Sequence, residues 1–192
     1  MLGEVAHSLK RIEENVKQGG EISEGLLKYT RKGNEGFEDI SLTKLLDDSL
    51  EMVQYKINVQ AMKVSRTFDP SFTFHGNFTQ MQEVFFNIID NSFYAMMERK
   101  KVLAQEGYQP ILEISARRID GKMILEISDN GMGVKKEDKK KLYTPFFSTK
   151  VEQKKGTGLG LYVIKKIIED NHQGKVEFIS EYEKGSMTRI VI

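Results

Sequence analysis

A ladder of polar side chains along a long predicted helix constrains how this chain can fold. The helix is predicted from about Thr79 to Gln105. Within it, Glu83, Asn87 and Asn91 lie four residues apart and therefore share one face. Apolar side chains cover the other side of the helix: Val84, Phe85, Ile88 and Ile89. A polar face flanked in this way indicates a ligand, although a solvated helix surface is the alternative if the segment is taken alone.

The composition predicts a soluble globular domain with an additional element. The 192 residues are 39% hydrophobic and 30% charged, which suits one domain of ordinary size. A net charge of +1 gives no general reason to bind nucleic acid, so we expect no nucleic-acid partner. The absence of cysteine excludes disulfides and thiolate metal sites, and the apolar runs are too short to span a bilayer.

The remaining hydrophobic patterns predict an α+β fold preceded by a bundle helix. Residues from about 4 to 32 carry a narrow apolar stripe at mostly helical spacing, as in a bundle helix that needs a partner. The other predicted elements are a helix capped by Ser41, strands near 64–68 and 72–74, a hairpin over 111–128, a short helix near 136–143, a helix over 158–171 and a closing hairpin over 175–192. We therefore expect one mixed sheet with helices on one face.

A glycine-containing segment follows one of the predicted strands. It reads Asp129-Asn130-Gly131-Met132-Gly133, and its glycines allow tight turns and close approach to a flat ligand. A buried aspartate can accept a hydrogen bond from an exocyclic amine such as that of adenine. The alternative is a simple β-turn, because Asp-Asn-Gly is common turn chemistry.

Two further segments stand next to each other in the chain. Gly156-Thr157-Gly158-Leu159-Gly160 directly precedes a predicted helix, where free backbone N–H groups attract phosphate. It is neither a Walker loop nor a dinucleotide fingerprint. Phe146 and Phe147 precede a lysine-containing stretch, Ser148 to Lys155, which we interpret as a lid pinned by aromatic rings. Ordinary core aromatics are the alternative.

In this order, the four segments resemble the histidine-kinase branch of the gyrase-like ATPase superfamily, in particular its nitrogen-regulation-type members. The matches are Asn87 and Asn91 to the N box, Asp129, Gly131 and Gly133 to the first glycine box, Phe146 and Phe147 to the F box, and Gly156, Gly158 and Gly160 to the second glycine box. The resemblance implies a Bergerat-type ATP-binding fold, a two-layer α/β sandwich, over residues 37–192. Residues 1–36 would comprise part of a dimerisation hairpin, namely its second helix, followed by a linker.

The resemblance also implies a role for each matched residue. Asn91 would ligate Mg²⁺ on the ATP phosphates with help from Asn87, and Asp129 would hold adenine. Thr157, Gly158, Leu159 and Gly160 would enclose the phosphates together with the lid. Lys150 is the candidate for a direct phosphate contact.

One position separates kinases from ATP hydrolases within this superfamily. The hydrolases place a water-activating glutamate where this chain has Asn87. An asparagine amide does not take up a proton near neutral pH, so it cannot be a general base. Glu83 lies a full turn away and would have to substitute. We therefore expect slow hydrolysis, and the resemblance to histidine kinases implies transfer of the γ-phosphoryl group to a histidine.

The chain offers three histidines as acceptors of that group. His7 follows Ala6, as in related phosphoacceptors, but Ser8 replaces the expected acidic neighbour. His7 also lies only about one helix length before the end of the predicted helix, which is too close for two antiparallel helices and their turn to intervene. His75 and His172 are interpreted as local surface or cap residues. The phosphoacceptor is therefore unknown, with His7 disfavoured.

The resemblance further implies a response-regulator receiver domain as partner and a homodimer formed through the N-terminal helix of a full-length protein. It implies a cytoplasmic location, with tethering to the inner face of the membrane left open. The alternative function is a degenerate module that binds nucleotide without kinase activity. An ATP-driven clamp is disfavoured by Asn87.

Overall fold

The computed structural model describes residues 36–104, 106–147 and 158–192. The predicted bundle helix and the assignment of residues 1–36 to a dimerisation hairpin lie outside these residues, apart from Gly36. The division into residues 1–36 and 37–192 therefore stays a prediction.

A five-stranded mixed sheet forms the centre of the described part. Its order is β2 (Lys63–Thr67), β4 (Ile111–Ile119), β5 (Lys122–Asp129), β7 (Gly185–Val191) and β6 (Lys175–Glu181). Strand β2 runs parallel to β4, and the other neighbours are antiparallel. Both predicted hairpins are confirmed, the first turning at Asp120 and Gly121 with φ of 51° and 78°, as a two-residue hairpin turn requires.

Strand alternation explains why one face of this sheet is covered. In β4 and β5, the side chains of Leu112, Ile114, Leu125 and Ile127 are each no more than 1% exposed. The residues between them point to the opposite face, where Glu126 binds Arg117 at 2.7 Å and Arg189 at 2.7 Å. A period of two therefore separates an apolar face from a charged one.

Helices α1 (Leu42–Gln54) and α2 (Phe78–Leu103) begin at side-chain caps. Ser41 Oγ accepts a hydrogen bond from the N–H of Lys44 at 3.3 Å, and Asn77 Oδ1 accepts one from the N–H of Gln80 at 2.9 Å. Most of their buried side chains are apolar, among them Leu45, Leu46, Met81, Val84, Phe85, Ile88 and Ile89. The predicted α+β class and the helix-covered mixed sheet are confirmed.

The structure differs from the sequence-based expectation in several places, among them an unpredicted 3₁₀ turn at Val59–Ala61. A strand β1 (Glu38–Ser41), which was not predicted, pairs with β3 (Thr73–Gly76) in a separate two-stranded sheet. The short helix expected near 136–143 is only a 3₁₀ turn at Lys139–Lys141. The helix expected over 158–171 consists of α3 (Gly160–Lys165) and a π-helical segment (Lys166–Asn171). No helix in the described part of the chain is long and apolar enough to cross a membrane.

Candidate functional site

Asp129 ends strand β5 and carries a carboxylate held between the sheet and helix α2. Its Oδ2 accepts a hydrogen bond from Ser92 Oγ at 3.1 Å, and its Oδ1 accepts one from the N–H of Gly131 at 2.8 Å. Burial raises the pKa of Asp129 to about 6, while hydrogen bonds from Gly131, Ser92 and Ser186 oppose that rise. The site thus holds a charge that the protein only partly compensates.

The glycines after Asp129 let the loop approach neighbouring backbone closely. A Cβ added to Gly131 would lie 2.7 Å from the carbonyl carbon of Ala95 on α2. The N–H of Met132 donates to the Ala95 oxygen at 2.9 Å. Gly133 has φ of 67°, and a Cβ there would overlap the carbonyl of Glu181. The segment does form a turn, since the Asp129 carboxylate accepts a hydrogen bond from the N–H of Gly131. This turn packs the loop against helix α2.

The two asparagines of the ladder face the start of helix α3. A Cβ added to Gly160 would lie 3.1 Å from Asn87 Oδ1 and 3.2 Å from Asn91 Nδ2. Asn87 Nδ2 donates to the carbonyl oxygen of Glu83 at 2.9 Å, which aims its Oδ1 toward Gly160. These side chains are partly buried, so a plain solvated helix face does not describe them.

Phe146 and Gly158 lie on either side of positions 148–157 in the chain and are joined by a backbone hydrogen bond. The N–H of Phe146 donates to the carbonyl oxygen of Gly158 at 3.0 Å, and both residues have φ of 68°. Phe146 is 53% exposed, so it is not an ordinary core aromatic. Phe147 lies beneath the ammonium of Lys141, 5.6 Å from the ring centroid.

The remaining predicted site residues divide into two groups. Leu159 directly precedes α3, and Glu83 lies one turn before Asn87 and offers it a backbone oxygen. Lys150, Gly156 and Thr157 lie outside the described residues, as does His7.

Four residues that build the site were not predicted as site residues: Ser92, Ala95, Arg99 and Tyr108. The spacing of the ladder indicated two of them. Continuing by fours from Asn91 along α2 leads to Ala95 and then Arg99. Arg99 Nη1 donates to the carbonyl oxygen of Asn130 at 2.8 Å and stacks over Tyr108, 5.2 Å from the ring centroid. The Tyr108 hydroxyl lies 3.0 Å from the same oxygen. These contacts fasten the loop that follows Asp129.

The amide groups offer oxygen donors without a preformed metal cage. Among residues 36–104, 106–147 and 158–192, no three His, Cys, Asp or Glu side chains could together hold a metal ion. Amide oxygens are hard donors that suit Mg²⁺, an ion that usually takes most of its other ligands from water and substrate phosphates. The donor set at Asn87 and Asn91 therefore fits Mg²⁺ bound together with a phosphate chain.

Known proteins resemble this chain in sequence and in fold. The family model described as histidine kinase-, DNA gyrase B-, and HSP90-like ATPase matches residues 76–192. Sporulation kinase B of Bacillus subtilis is 29% identical over 153 residues, covering 80% of this chain. The catalytic domain of histidine kinase ThkA superimposes with a TM-score of 0.65 at 24% identity, covering 81% of this chain and 94% of that domain.

This chain matches only part of each of its longer relatives. Full-length ShkA, solved in complex with AMPPNP, superimposes with a TM-score of 0.67 at 17% identity, covering 86% of this chain and 34% of that protein. The chain spans 33% of Sporulation kinase B and between 22% and 32% of two further curated relatives.

Proposed function

This chain belongs to the family of histidine kinase-, DNA gyrase B-, and HSP90-like ATPases, and from that premise we propose that it binds Mg²⁺·ATP and transfers the γ-phosphoryl group to a histidine. It would do so as the catalytic part of a two-component sensor histidine kinase. The observation that carries this proposal is the seat of Asn87 and Asn91 against Gly160. It brings two side chains of the polar ladder next to Gly160, the last glycine of the second glycine box and the first residue of helix α3.

The adenine end of the site comprises Asp129, Ser92 and Gly131. A carboxylate with acceptor capacity left over can receive the exocyclic amine of adenine, whereas guanine presents a carbonyl oxygen there. The bound AMPPNP of ShkA supports a nucleotide in a site of this fold. We therefore expect ATP to bind in preference to GTP.

The phosphate end comprises Asn87, Asn91 and Gly160. Asn91, helped by Asn87, would hold Mg²⁺, whose charge offsets that of the phosphates. The start of helix α3 would add backbone N–H groups. Phosphoryl transfer depends mainly on such positioning and charge stabilisation, and amides supply both without acting as bases.

The identity of residue 87 also determines which nucleophile the site serves. Asn87 Nδ2 is engaged with the Glu83 carbonyl, and its amide cannot deprotonate water. An imidazole nitrogen needs no such base, because its lone pair is available at neutral pH. Relatives named as histidine kinases support this acceptor. A response-regulator receiver domain and a homodimer in the longer protein belong to the same proposal.

The decisive experiment supplies the acceptor separately. The purified chain is incubated with γ-labelled ATP, alone and with a dimerisation fragment bearing a phosphoacceptor histidine. We expect acid-labile label on the added fragment, little free phosphate, and loss of transfer in Asn91→Ala. Acid-labile label on His7 of the lone chain would identify an internal acceptor. Tight ATP binding without transfer to any cognate fragment would indicate the non-catalytic module.

A further inference from the structure

His172 lies buried at the end of the π-helical segment, where it joins two helices. Its side chain belongs to the small set of buried polar groups and is 7% exposed. Its Nε2 lies 3.1 Å from the backbone nitrogen of Asn77, and its Nδ1 lies 2.9 Å from the carbonyl oxygen of Ile167. Because a backbone N–H can only donate, Nε2 is the acceptor, and the proton must sit on Nδ1.

Both hydrogen-bond partners of the ring also take part in hydrogen bonds at the ends of helical segments. The Ile167 oxygen also accepts from the backbone N–H of His172 at 3.1 Å, which is the five-residue bond of the π turn. Such turns are rare and recur at functional sites. Asn77 caps helix α2 through Gln80. The ring therefore ties the last turn after α3 to the first residue of α2.

The same two helices meet again at the phosphate end. Gly160, the first residue of α3, packs against Asn87 and Asn91, whereas His172 at the far end contacts Asn77. The helices thus run in opposite directions, and the twelve residue steps from Gly160 to His172 separate the two contacts by about 18 Å at 1.5 Å per residue. A shift of α3 along α2 would move both contacts together.

The surroundings keep the imidazole neutral and in place. Burial lowers the pKa of His172 below its usual range. The ring of Phe37 lies against it with centroids 4.9 Å apart. A Cβ on Gly76 would come within 3.3 Å of Nε2, so the glycine leaves room for the bond to Asn77.

From this geometry we propose that His172 is a positioning residue for the phosphate end of the site. Its neutral ring sets the position of α3 along α2, and with it the seat of Gly160 against Asn87 and Asn91. The inference rests on the proposed function, because it assigns a purpose to that seat. Asp129 lies on strand β5 and does not depend on this register, so the adenine end should be unaffected.

The test compares a ligand that uses both ends of the site with one that uses only the adenine end. The substitution His172→Phe keeps an aromatic ring at this position but removes the ring's hydrogen bonds to Asn77 and Ile167. Small misplacements of binding groups cost large factors, so we expect Mg²⁺·ATP affinity to fall about tenfold while adenosine affinity changes little. His172→Gln, which can still accept from Asn77, should recover part of the Mg²⁺·ATP affinity. Titration calorimetry measures both ligands.

A matched control is the same change at the other histidine that touches Phe37. His75 is exposed and its Nδ1 lies 3.3 Å from Asp39, so His75→Phe should leave both affinities as they are. Equal losses for the two ligands in a folded His172→Phe, or no loss, would overturn the positioning role. If His172→Phe does not fold, His172→Gln decides, and failure of both to fold assigns the ring a purely structural role. Wild-type chain that binds neither ligand would overturn the proposed function as well.

Discussion

The adenine end and the phosphate end of the site are built on different physical principles. At the adenine end, a partly buried carboxylate accepts hydrogen bonds from Ser92 and Gly131, both within reach of strand β5. At the phosphate end, the neutral amides of Asn87 and Asn91 lie against Gly160, and their placement depends on how α3 lies along α2.

This difference predicts which property of the protein a substitution at each end should change. Burying Asp129 raises its pKa to about 6, so the folded state bears a cost at neutral pH for keeping the carboxylate charged. The phosphate end bears no such charge cost, and its ligand binding should instead be sensitive to small displacements of its amide groups. Substitutions at the first end should change stability and base recognition, and those at the second should change phosphate binding alone.

The largest expected effect follows from replacing the buried charge by its neutral isostere. In Asp129→Asn, the amide would present a donor toward the adenine amine, so ATP affinity should fall by about 1.5–3 kcal/mol, the range for a lost hydrogen bond to a charged group. The exposed turn residue Asp120 provides the control, since Asp120→Asn should not affect binding. Calorimetric titration with ATP and GTP measures both. Equal ATP and GTP affinity in the wild type would contradict the role of Asp129.

The same substitution should stabilise the protein at neutral pH. A rise of the Asp129 pKa from 3.8 to about 6 is worth at most about 3 kcal/mol, at 1.36 kcal/mol per unit. A group whose folded pKa is raised stabilises the fold below its unfolded pKa and loses that contribution as pH rises through 6. Asp129→Asn should therefore exceed the wild type in free energy of unfolding at pH 7.5, and the advantage should shrink toward pH 5. Urea unfolding at both pH values tests the sign, and a pH-independent difference would argue against a titrating Asp129.

A smaller effect is expected at the phosphate end. In Gly160→Ala the new Cβ would lie 3.1 Å from Asn87 Oδ1 and 3.2 Å from Asn91 Nδ2, so the amides must move slightly. We expect about a fivefold loss of Mg²⁺·ATP affinity, as for a small misplacement, with adenosine affinity unchanged. Alanine favours a helix over glycine, so thermal stability should not fall. Gly36→Ala, where a Cβ meets nothing within 4 Å, is the control. An equal drop in adenosine affinity would contradict the independence of the adenine end and the phosphate end.

The smallest effect concerns a single hydroxyl at the adenine end. Ser92→Ala removes a hydrogen bond that lowers the pKa of Asp129, so the carboxylate should titrate at a higher pH. ATP affinity should fall about threefold at pH 7.5, within the range for one hydrogen bond, and further at pH 6.5. Ser49→Ala is the matched control, because its buried hydroxyl donates to Leu45 on helix α1. If the loss of ATP affinity does not grow between pH 7.5 and pH 6.5, Ser92 does not act through the pKa of Asp129.

Local chemistry in the sequence predicted most of the secondary structure. Ser41 capped its helix as expected, and the turn at Asp120 and Gly121 joined two alternating strands. These features depend on neighbours within a few residues, so a single sequence records them. Strand β1 was missed because its partner β3 lies more than thirty residues away in the chain, and pairing over that distance leaves no local pattern.

The candidate site shows the same division. The spacing of Asn87 and Asn91 predicted a common helix face, and the order of the four segments predicted the ATPase family. The extension of that face to Arg99 could have been found by counting on in fours. Its contact with the Asn130 carbonyl could not, because it joins a helix to a loop some thirty residues later.

What the sequence alone determined is therefore the set of chemical groups and the faces they occupy. Tertiary structure decided which groups meet. His172, interpreted from the sequence as a surface or cap residue, does cap the π-helical segment, yet it is buried and bonded to Asn77. Nothing near it in the chain indicates this, because its second partner lies 95 residues away. Helix periodicity fixes how side chains point around an axis, but the position of one helix along another is set only by packing and hydrogen bonds between them.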